Sequence, residues 1–317
     1  MEQAVEVRGR ELHFGVQLQA QRTDWAGYAR AVLAVEELGF GSVWTFDHIL
    51  PFAGPDDDDC FETLTTMGSM AVLTQRARIG VLVNGVLYRD PATLAKAAAQ
   101  VDQATGGRLD FSLGAAWAER EFRAYGLGFP SISERYGRLE EALEAVTSLW
   151  SQHRTTYHGR YYHLEDAPCA PKPVQSPLPI TIGGGGMGSL RAAARFAHRL
   201  NLIGSPSYCA ERLGRLAALC AERGRDVAEV ELSVHPGLAV AATTEAAHDL
   251  ATRLAASNGG TPGQPGEGWL IGTPEEVVAQ LHRYTEAGVS HFVFGSPPPF
   301  ELDHLALFMR EVAPALA

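Results

Sequence analysis

Apolar positions in this chain come in short runs without simple polar alternation, and most runs are separated by segments whose apolar residues recur at helical spacing. The runs are His13 to Leu18, Ser42 to Phe46, Ile79 to Val83, Leu109 to Leu113, Ile180 to Ile182, Leu200 to Ile203, Leu232 to Val240 and His291 to Phe294. Helical patterns cover Trp25 to Leu38, Ala92 to Ala104, Ser133 to Trp150 and Glu275 to Ala287, the last opened by Thr273 as cap and Pro274 at the first helical position. Strands buried on both faces and alternating with amphipathic helices predict a parallel sheet covered by helices. Eight of them predict closure, so a (β/α)8 TIM barrel with insertions accommodates 317 residues better than an open doubly wound sheet. The reading is one domain over residues 1–317 with an insertion at about 118–178, containing the proline-rich stretch Pro168 to Pro179. The polar stretch Ser257 to Gly268 reads as a loop.

In such a barrel the chemistry collects where strands end and the following loops begin. The fifth predicted strand empties into Gly183-Gly184-Gly185-Gly186, ahead of a helix expected to start near Ser189. A loop of bare amides before a helix start suits a phosphate, and it equally suits a tight strand-to-helix turn. On the same rim the second strand ends in Asp47-His48, the third in Val83-Asn84-Gly85 and the fourth in Gly114-Ala115-Ala116-Trp117. Small residues beside an aromatic wall suit a flat heteroaromatic ring.

The formal net charge of −11 argues against sequence-independent nucleic-acid binding, which needs a basic face. Lys96 and Lys172 are the only lysines. Cys60, Cys169, Cys209 and Cys220 have no metal-ligand spacing and read as free thiols of a reducing compartment. No long apolar stretch reads as a signal peptide or membrane span, so a cytoplasmic location is expected. Asp56-Asp57-Asp58-Asp59 reads as a solvated run rather than a metal site, and no metal is expected. His235 and His291 read as structural, and Arg120 and Arg191 as candidate partners of a coenzyme phosphate or acidic tail.

Several stretches together resemble the luciferase-like monooxygenase superfamily, and within it the branch that uses coenzyme F420, an 8-hydroxy-5-deazaflavin. They are Glu37-Leu38-Gly39-Phe40 through Asp47-His48, Tyr88-Arg89-Asp90-Pro91 through Lys96, Gly106-Gly107-Arg108-Leu109, Glu134-Arg135-Tyr136, Gly159-Arg160-Tyr161-Tyr162, Pro171-Lys172-Pro173-Val174-Gln175 and Pro179 through Gly186. The resemblance implies a (β/α)8 barrel, usually dimeric, with the coenzyme ring in the barrel mouth and its phosphate on the loop after the fifth strand. It implies an irregular peptide, often a non-prolyl cis bond, in the third strand, near Leu82-Val83-Asn84 here. Two departures stand out. Relatives have Gly-x-Gly-x-Gly-Trp where this chain has Ser112-Leu113-Gly114-Ala115-Ala116-Trp117, and sugar-phosphate dehydrogenases of the branch carry a catalytic glutamate at the place of Trp117 and phosphate-binding lysines unmatched here. Glucose-6-phosphate is therefore set aside as substrate, with Glu119 and Glu121 close enough in sequence to supply a carboxylate.

The site expectations follow from these readings. His48 is the acid/base candidate, with a merely hydrogen-bonded histidine as the alternative. Asp47, Asn84, Ala115, Ala116 and Gly183 to Gly186 are expected against the coenzyme, F420 or alternatively FMN, and Phe52, Tyr88 and Trp117 around the substrate. Asp47 as a loop brace and Asn84-Gly85 as a turn are the structural alternatives. The expected activity is hydride transfer between F420 and a small, uncharged organic molecule. An FMN-dependent monooxygenase and a non-catalytic flavin-binding protein are the alternatives. A homodimer is expected from the resemblance.

Overall fold

The structure, a computed structural model, describes residues 11–51, 54–257 and 268–316. Strand β1 (His13–Leu18) leads into α1 (Trp25–Glu37), opened by Asp24, whose carboxylate accepts from the Gly27 amide. Then come β2 (Ser42–Thr45), α2 (Thr63–Leu73), β3 (Arg78–Val81), α3 (Pro91–Thr105) and β4 (Leu109–Leu113). The stretch between β4 and the next barrel strand holds α4 (Glu119–Ala124), α5 (Ile132–Ser151) and an antiparallel hairpin of β5 (Arg154–His158) and β6 (His163–Pro168). The second half runs β7 (Ile180–Gly183), α6 (Met187–Phe196), β8 (Arg199–Leu202), α7 (Pro206–Ala221) and β9 (Glu231–Val234). It ends with β10 (Leu238–Val240), α8 (Thr244–Ser257), β11 (Leu270–Gly272), α9 (Pro274–Glu286), β12 (Val289–Ser296) and α10 (Asp303–Leu307).

Eight strands close a parallel barrel in the order β1-β12-β9-β8-β7-β4-β3-β2. The (β/α)8 reading therefore holds, with corrections in detail. The run Leu232 to Val240 is two strands, because Pro236, which has no amide hydrogen to give a ladder, ends β9. Beyond it β10 pairs in parallel with β11 in a separate two-stranded sheet. That sheet has its own small core of Ala239, Leu250, Ala251 and Leu254, with Trp269 and Ile271 against it. Strand β3 stops at Val81, and the Leu82–Val83 peptide that follows is cis and non-prolyl, where the resemblance placed it. Helix α6 starts at Met187, two residues earlier than expected. Helix α5, inside the predicted insertion, packs on α3 and so serves as the outer helix between β4 and β7. Most of the predicted loop Ser257 to Gly268 lies outside the described residues.

The lower lumen is filled by Trp44, which is fully buried and donates its indole N–H to Ser42 Oγ at 2.8 Å. A Cβ on Gly80 would run into that indole ring and into the Asp110 carbonyl at 2.9 Å. Gly80→Val should therefore destabilise the fold by about 2–3 kcal/mol through overpacking. The additional change Trp44→Leu should recover part of the loss, because the two sites share one space. Urea denaturation of the three variants checks this.

Acid should weaken this fold. Burial pushes the His304 imidazole down to about 4, against weaker opposing pulls from Glu301 and Asp303, and burial also lowers His235 and His291. The unfolded chain takes up these protons near pH 6.5 and the folded chain does not, so stability is complete above that pH and falls as the pH drops toward 4. For His304 alone the loss is of order 3 kcal/mol across that window. His304→Leu should flatten the decline, seen as a smaller difference in urea midpoint between pH 7 and pH 4.5.

Candidate active site

The C-terminal ends of the barrel strands open into a cavity of about 890 Å³. Beyond β2 the chain presents Asp47 and His48 in sequence, and the two side chains take different roles. The Asp47 carboxylate is fully buried and accepts from Arg89 Nη1 at 2.8 and 2.9 Å and from the Gly85 amide at 2.8 Å. It braces the loop after β3 and, at the same time, belongs to the cavity lining. Asn84 braces the same loop. It is buried outside the cavity lining, donates from Nδ2 to the Ser112 carbonyl at 3.1 Å, and ties that loop to β4.

His48 lines the cavity and turns Nδ1 to Glu121 Oε1 at 2.5 Å. The other oxygen of Glu121 accepts from the Ile49 amide at 2.8 Å and from the Tyr88 hydroxyl at 2.9 Å. Burial is the largest single influence on Glu121 and pushes its carboxyl up. The bonds from His48, Ile49 and Tyr88 together outweigh it, so the group lies below the usual carboxylate range. Burial, followed by the neighbouring Glu121 charge, pushes the Tyr88 phenol well above its ordinary value. A carboxylate held ionised at Nδ1 fixes that nitrogen as the donor and steadies an imidazolium. The ring stands edge-on to Phe46 and Trp117, with centroids 5.1 and 5.4 Å away.

Glu121 is the residue that sequence reasoning named without assigning. It sits on the short helix α4 one position before Phe122, whose ring stacks on Tyr88 at 4.5 Å and so carries the carboxylate beneath His48. Glu119 is exposed and pairs with Arg123 at 2.9 Å. Tyr88 and Trp117 line the cavity, Trp117 at its mouth with 68% of its surface exposed, whereas Phe52 lies outside the described residues.

Ala115, Ala116 and all four glycines Gly183 to Gly186 line the cavity. Ala116 adopts φ +59°, a left-handed conformation in which glycine carries no Cβ penalty. Gly184, at φ +102°, bonds its amide to the Asn201 carbonyl at 2.9 Å. A Cβ on Gly183 would meet Val83 at 2.7 Å, one on Gly185 would meet the Tyr208 ring, and one on Gly186 the Tyr136 hydroxyl. Helix α6 then begins without a side-chain cap on its first amides. The first-turn N–H groups of a helix have no partner inside it, so this end faces the cavity as a positive, donor-rich cradle.

Other lining residues carried no clear signal in the sequence. His235, expected to be structural, lines the cavity with Nε2 bonded to Gln17 Oε1 at 2.7 Å, and Gln17 donates to the Leu82 carbonyl at 2.9 Å. That places a polar link between β1 and the end of β9, and Asn201 and Gln19 also line the cavity. His291 is buried against Ser233 at 2.7 Å. Trp269, Ile203, Phe129 and Ile132 complete an apolar collar. Arg120 pairs with Asp56 at 2.5 Å and Arg191 is exposed, both outside the lining, while Arg135 does line it. Among the described residues no group of three or more His, Cys, Asp or Glu could hold a metal ion, and no helix is long and apolar enough to cross a membrane.

Comparison with known proteins adds the following. The profile of the family described as luciferase-like monooxygenase matches residues 12–268. The chain is 30% identical to an F420-dependent glucose-6-phosphate dehydrogenase of Microbacterium testaceum, over 89% of this chain and 90% of that one. It is 27% identical to the enzyme of the same name from Kineococcus radiotolerans, over 98% and 99%. Among solved structures, an F420-dependent secondary alcohol dehydrogenase in complex with an F420-acetone adduct superposes with a TM-score of 0.83 at 21% identity, covering 97% of this chain and 100% of that one.

Proposed function

We propose, from the premise that this chain belongs to the luciferase-like monooxygenase family, that it is an F420-dependent oxidoreductase. It would move a hydride between the deazaflavin and a small, uncharged and largely apolar molecule, reducing an activated C=C or C=N bond or oxidising an alcohol. The observation that carries the reading is the uncapped, glycine-lined start of α6 opening onto the same cavity as the His48–Glu121 pair.

The residues present fit such a coenzyme. Gly183 to Gly186 and the first turn of α6 would hold its phosphate, and the small side chains of Ala115 and Ala116 leave room for a flat ring. When bound, the group supplies a two-electron hydride carrier. The protein supplies position and a proton. His48 gives a proton to the substrate heteroatom in reduction, or takes it in oxidation, and Glu121 stabilises the charged imidazole. Trp117, Ile203 and Trp269 at the mouth keep water from the reacting atoms.

The relatives named as glucose-6-phosphate dehydrogenases do not extend to the substrate here. Lys96 donates to the Ala170 carbonyl at 2.7 Å, and Lys172 to the Leu149 carbonyl at 2.6 Å and to the Gln152 carbonyl, so both lysines are engaged outside the cavity. Among the described residues the cavity lining holds no lysine to meet a sugar phosphate. An assembly of two chains and a reducing compartment accord with the family and with four free cysteines.

Titration of the purified protein with F420 and with FMN, followed by quenching of coenzyme fluorescence, tests the assignment. F420 is expected to bind more tightly and to turn over with apolar secondary alcohols, ketones or activated alkenes. Tighter binding of FMN would move the protein to the oxygen-using flavin enzymes. Tight binding with no turnover of any such substrate would make it a carrier.

A further inference from the structure

We propose that Arg135 is an oxyanion-binding residue of the cavity, placed to take a phosphate or carboxylate on the free edge of its guanidinium. Among the described residues it is the one lysine or arginine in the lining. Its recorded interactions are a hydrogen bond from Nη1 to the Ala116 carbonyl at 2.6 Å and a position over the Phe129 ring at 4.2 Å. Its Nε is buried and has no partner. Among the described residues no carboxylate pairs with it.

Two other arginine heads withdrawn from water meet carboxylates, whereas Arg108 is held by the Thr74, Ala77 and Thr105 oxygens. Arg89 meets Asp47 at 2.8 Å and Glu62 at 2.6 Å, and Arg78 meets Asp110 at 2.9 Å. A partly desolvated guanidinium without a counterion is costly to keep, and an arriving anion would relieve that cost. The plane is already fixed by Ala116 on one side and Phe129 beneath, so little side-chain freedom remains to be lost on binding. The planar fork matches a carboxylate or phosphate edge.

Position supports the same conclusion. Arg135 stands in the first turn of α5, and its neighbour Tyr136 packs on Gly186 and Gly188 at the start of α6. The cation and the glycine amides therefore border one volume. An F420 molecule brings both a phosphate and carboxylates, and the other source is a substrate carboxylate, which would replace the uncharged substrate proposed above. This inference rests on the coenzyme reading above only for its first source.

Fluorescence titration of wild type, Arg135→Gln and Arg135→Lys with F420 and with its fragment 8-hydroxy-5-deazariboflavin, which lacks the phosphate and the carboxylates, decides the matter. Arg135→Gln should weaken F420 by about 10- to 100-fold, as loss of a charge-assisted bond implies. Arg135→Lys should keep most of the affinity, and the fragment should bind all three alike. Unchanged F420 affinity with a raised KM confined to carboxylate-bearing substrates would identify the substrate as the anion's source and uphold the proposal. Equal losses in both variants, for F420 and fragment alike, would reduce Arg135 to a brace for Ala116 and overturn it, as would no change anywhere. Should wild type bind neither F420 nor FMN, the coenzyme reading fails by itself, and inorganic phosphate still tests Arg135. Phosphate should then raise the Tm of wild type and Arg135→Lys more than that of Arg135→Gln, and equal shifts would overturn the proposal.

Discussion

Glu121→Gln is expected to lower kcat by about 10² to 10⁴-fold while leaving KM and coenzyme affinity nearly unchanged. The carboxylate accepts the Nδ1 proton of His48 at 2.5 Å. An amide at that place can offer its own N–H to Nδ1, which would push the proton to the opposite nitrogen and leave the cavity-side chemistry with the wrong tautomer. His48→Ala should cost about as much, and the double variant little more, because the pair acts as one unit. Nitrogen NMR of the imidazole supplies a readout independent of turnover. In wild type Nδ1 should carry the proton, and in Glu121→Gln it should not. Additive losses, or an unchanged tautomer together with slow turnover, would remove Glu121 from the proton path and leave it as a support for Ile49 and Tyr88.

A comparable loss is expected in binding from Gly184→Val. The φ of +102° is one that a β-branched residue does not adopt without strain, and a Cβ there would come within 3.2 Å of Ser189 Oγ. Relief requires the loop to turn, and turning it carries the neighbouring amides away from any anion they hold. Losing two charge-assisted bonds at about 1.5–3 kcal/mol each predicts at least about 10²-fold weaker coenzyme binding. Gly214→Ala, in α7 with open space around the site, is the control and should bind as wild type does. The two variants are compared by fluorescence titration, with urea midpoints taken alongside. Wild-type affinity in Gly184→Val would disprove the cradle.

The barrel was legible because its strands are bracketed by residues with unambiguous local physics. Leu109 to Leu113 stands between Gly106-Gly107 and Gly114, and β4 has those bounds. Thr273 and Pro274 open α9 with both halves of a capping box in place. Where bracketing fails, so does the reading. Leu232 to Val240 is apolar on both sides of Pro236, and only the three-dimensional path shows that the chain leaves the barrel there. Local spacing placed His48, the alanines and the glycine loop at the rim. It could not show that Asp47 also braces the loop after β3, because its partner Arg89 lies 42 residues away. For the same reason Glu121, 73 residues from His48, carried no mark that distinguished it from Glu119 until α4 was folded over the mouth. Long-range pairing of charged groups decides this site, and a linear pattern does not record it.

The miniature sheet of β10 and β11 has a corollary for the entrance. Trp269, which walls one side of the mouth, packs against that sheet's small cluster with α8. The sheet thus faces two ways, with Leu238, Val240 and Leu270 in the main core and Ala239 in the small one, so a change in the small cluster can reshape the entrance while the barrel beneath keeps its packing.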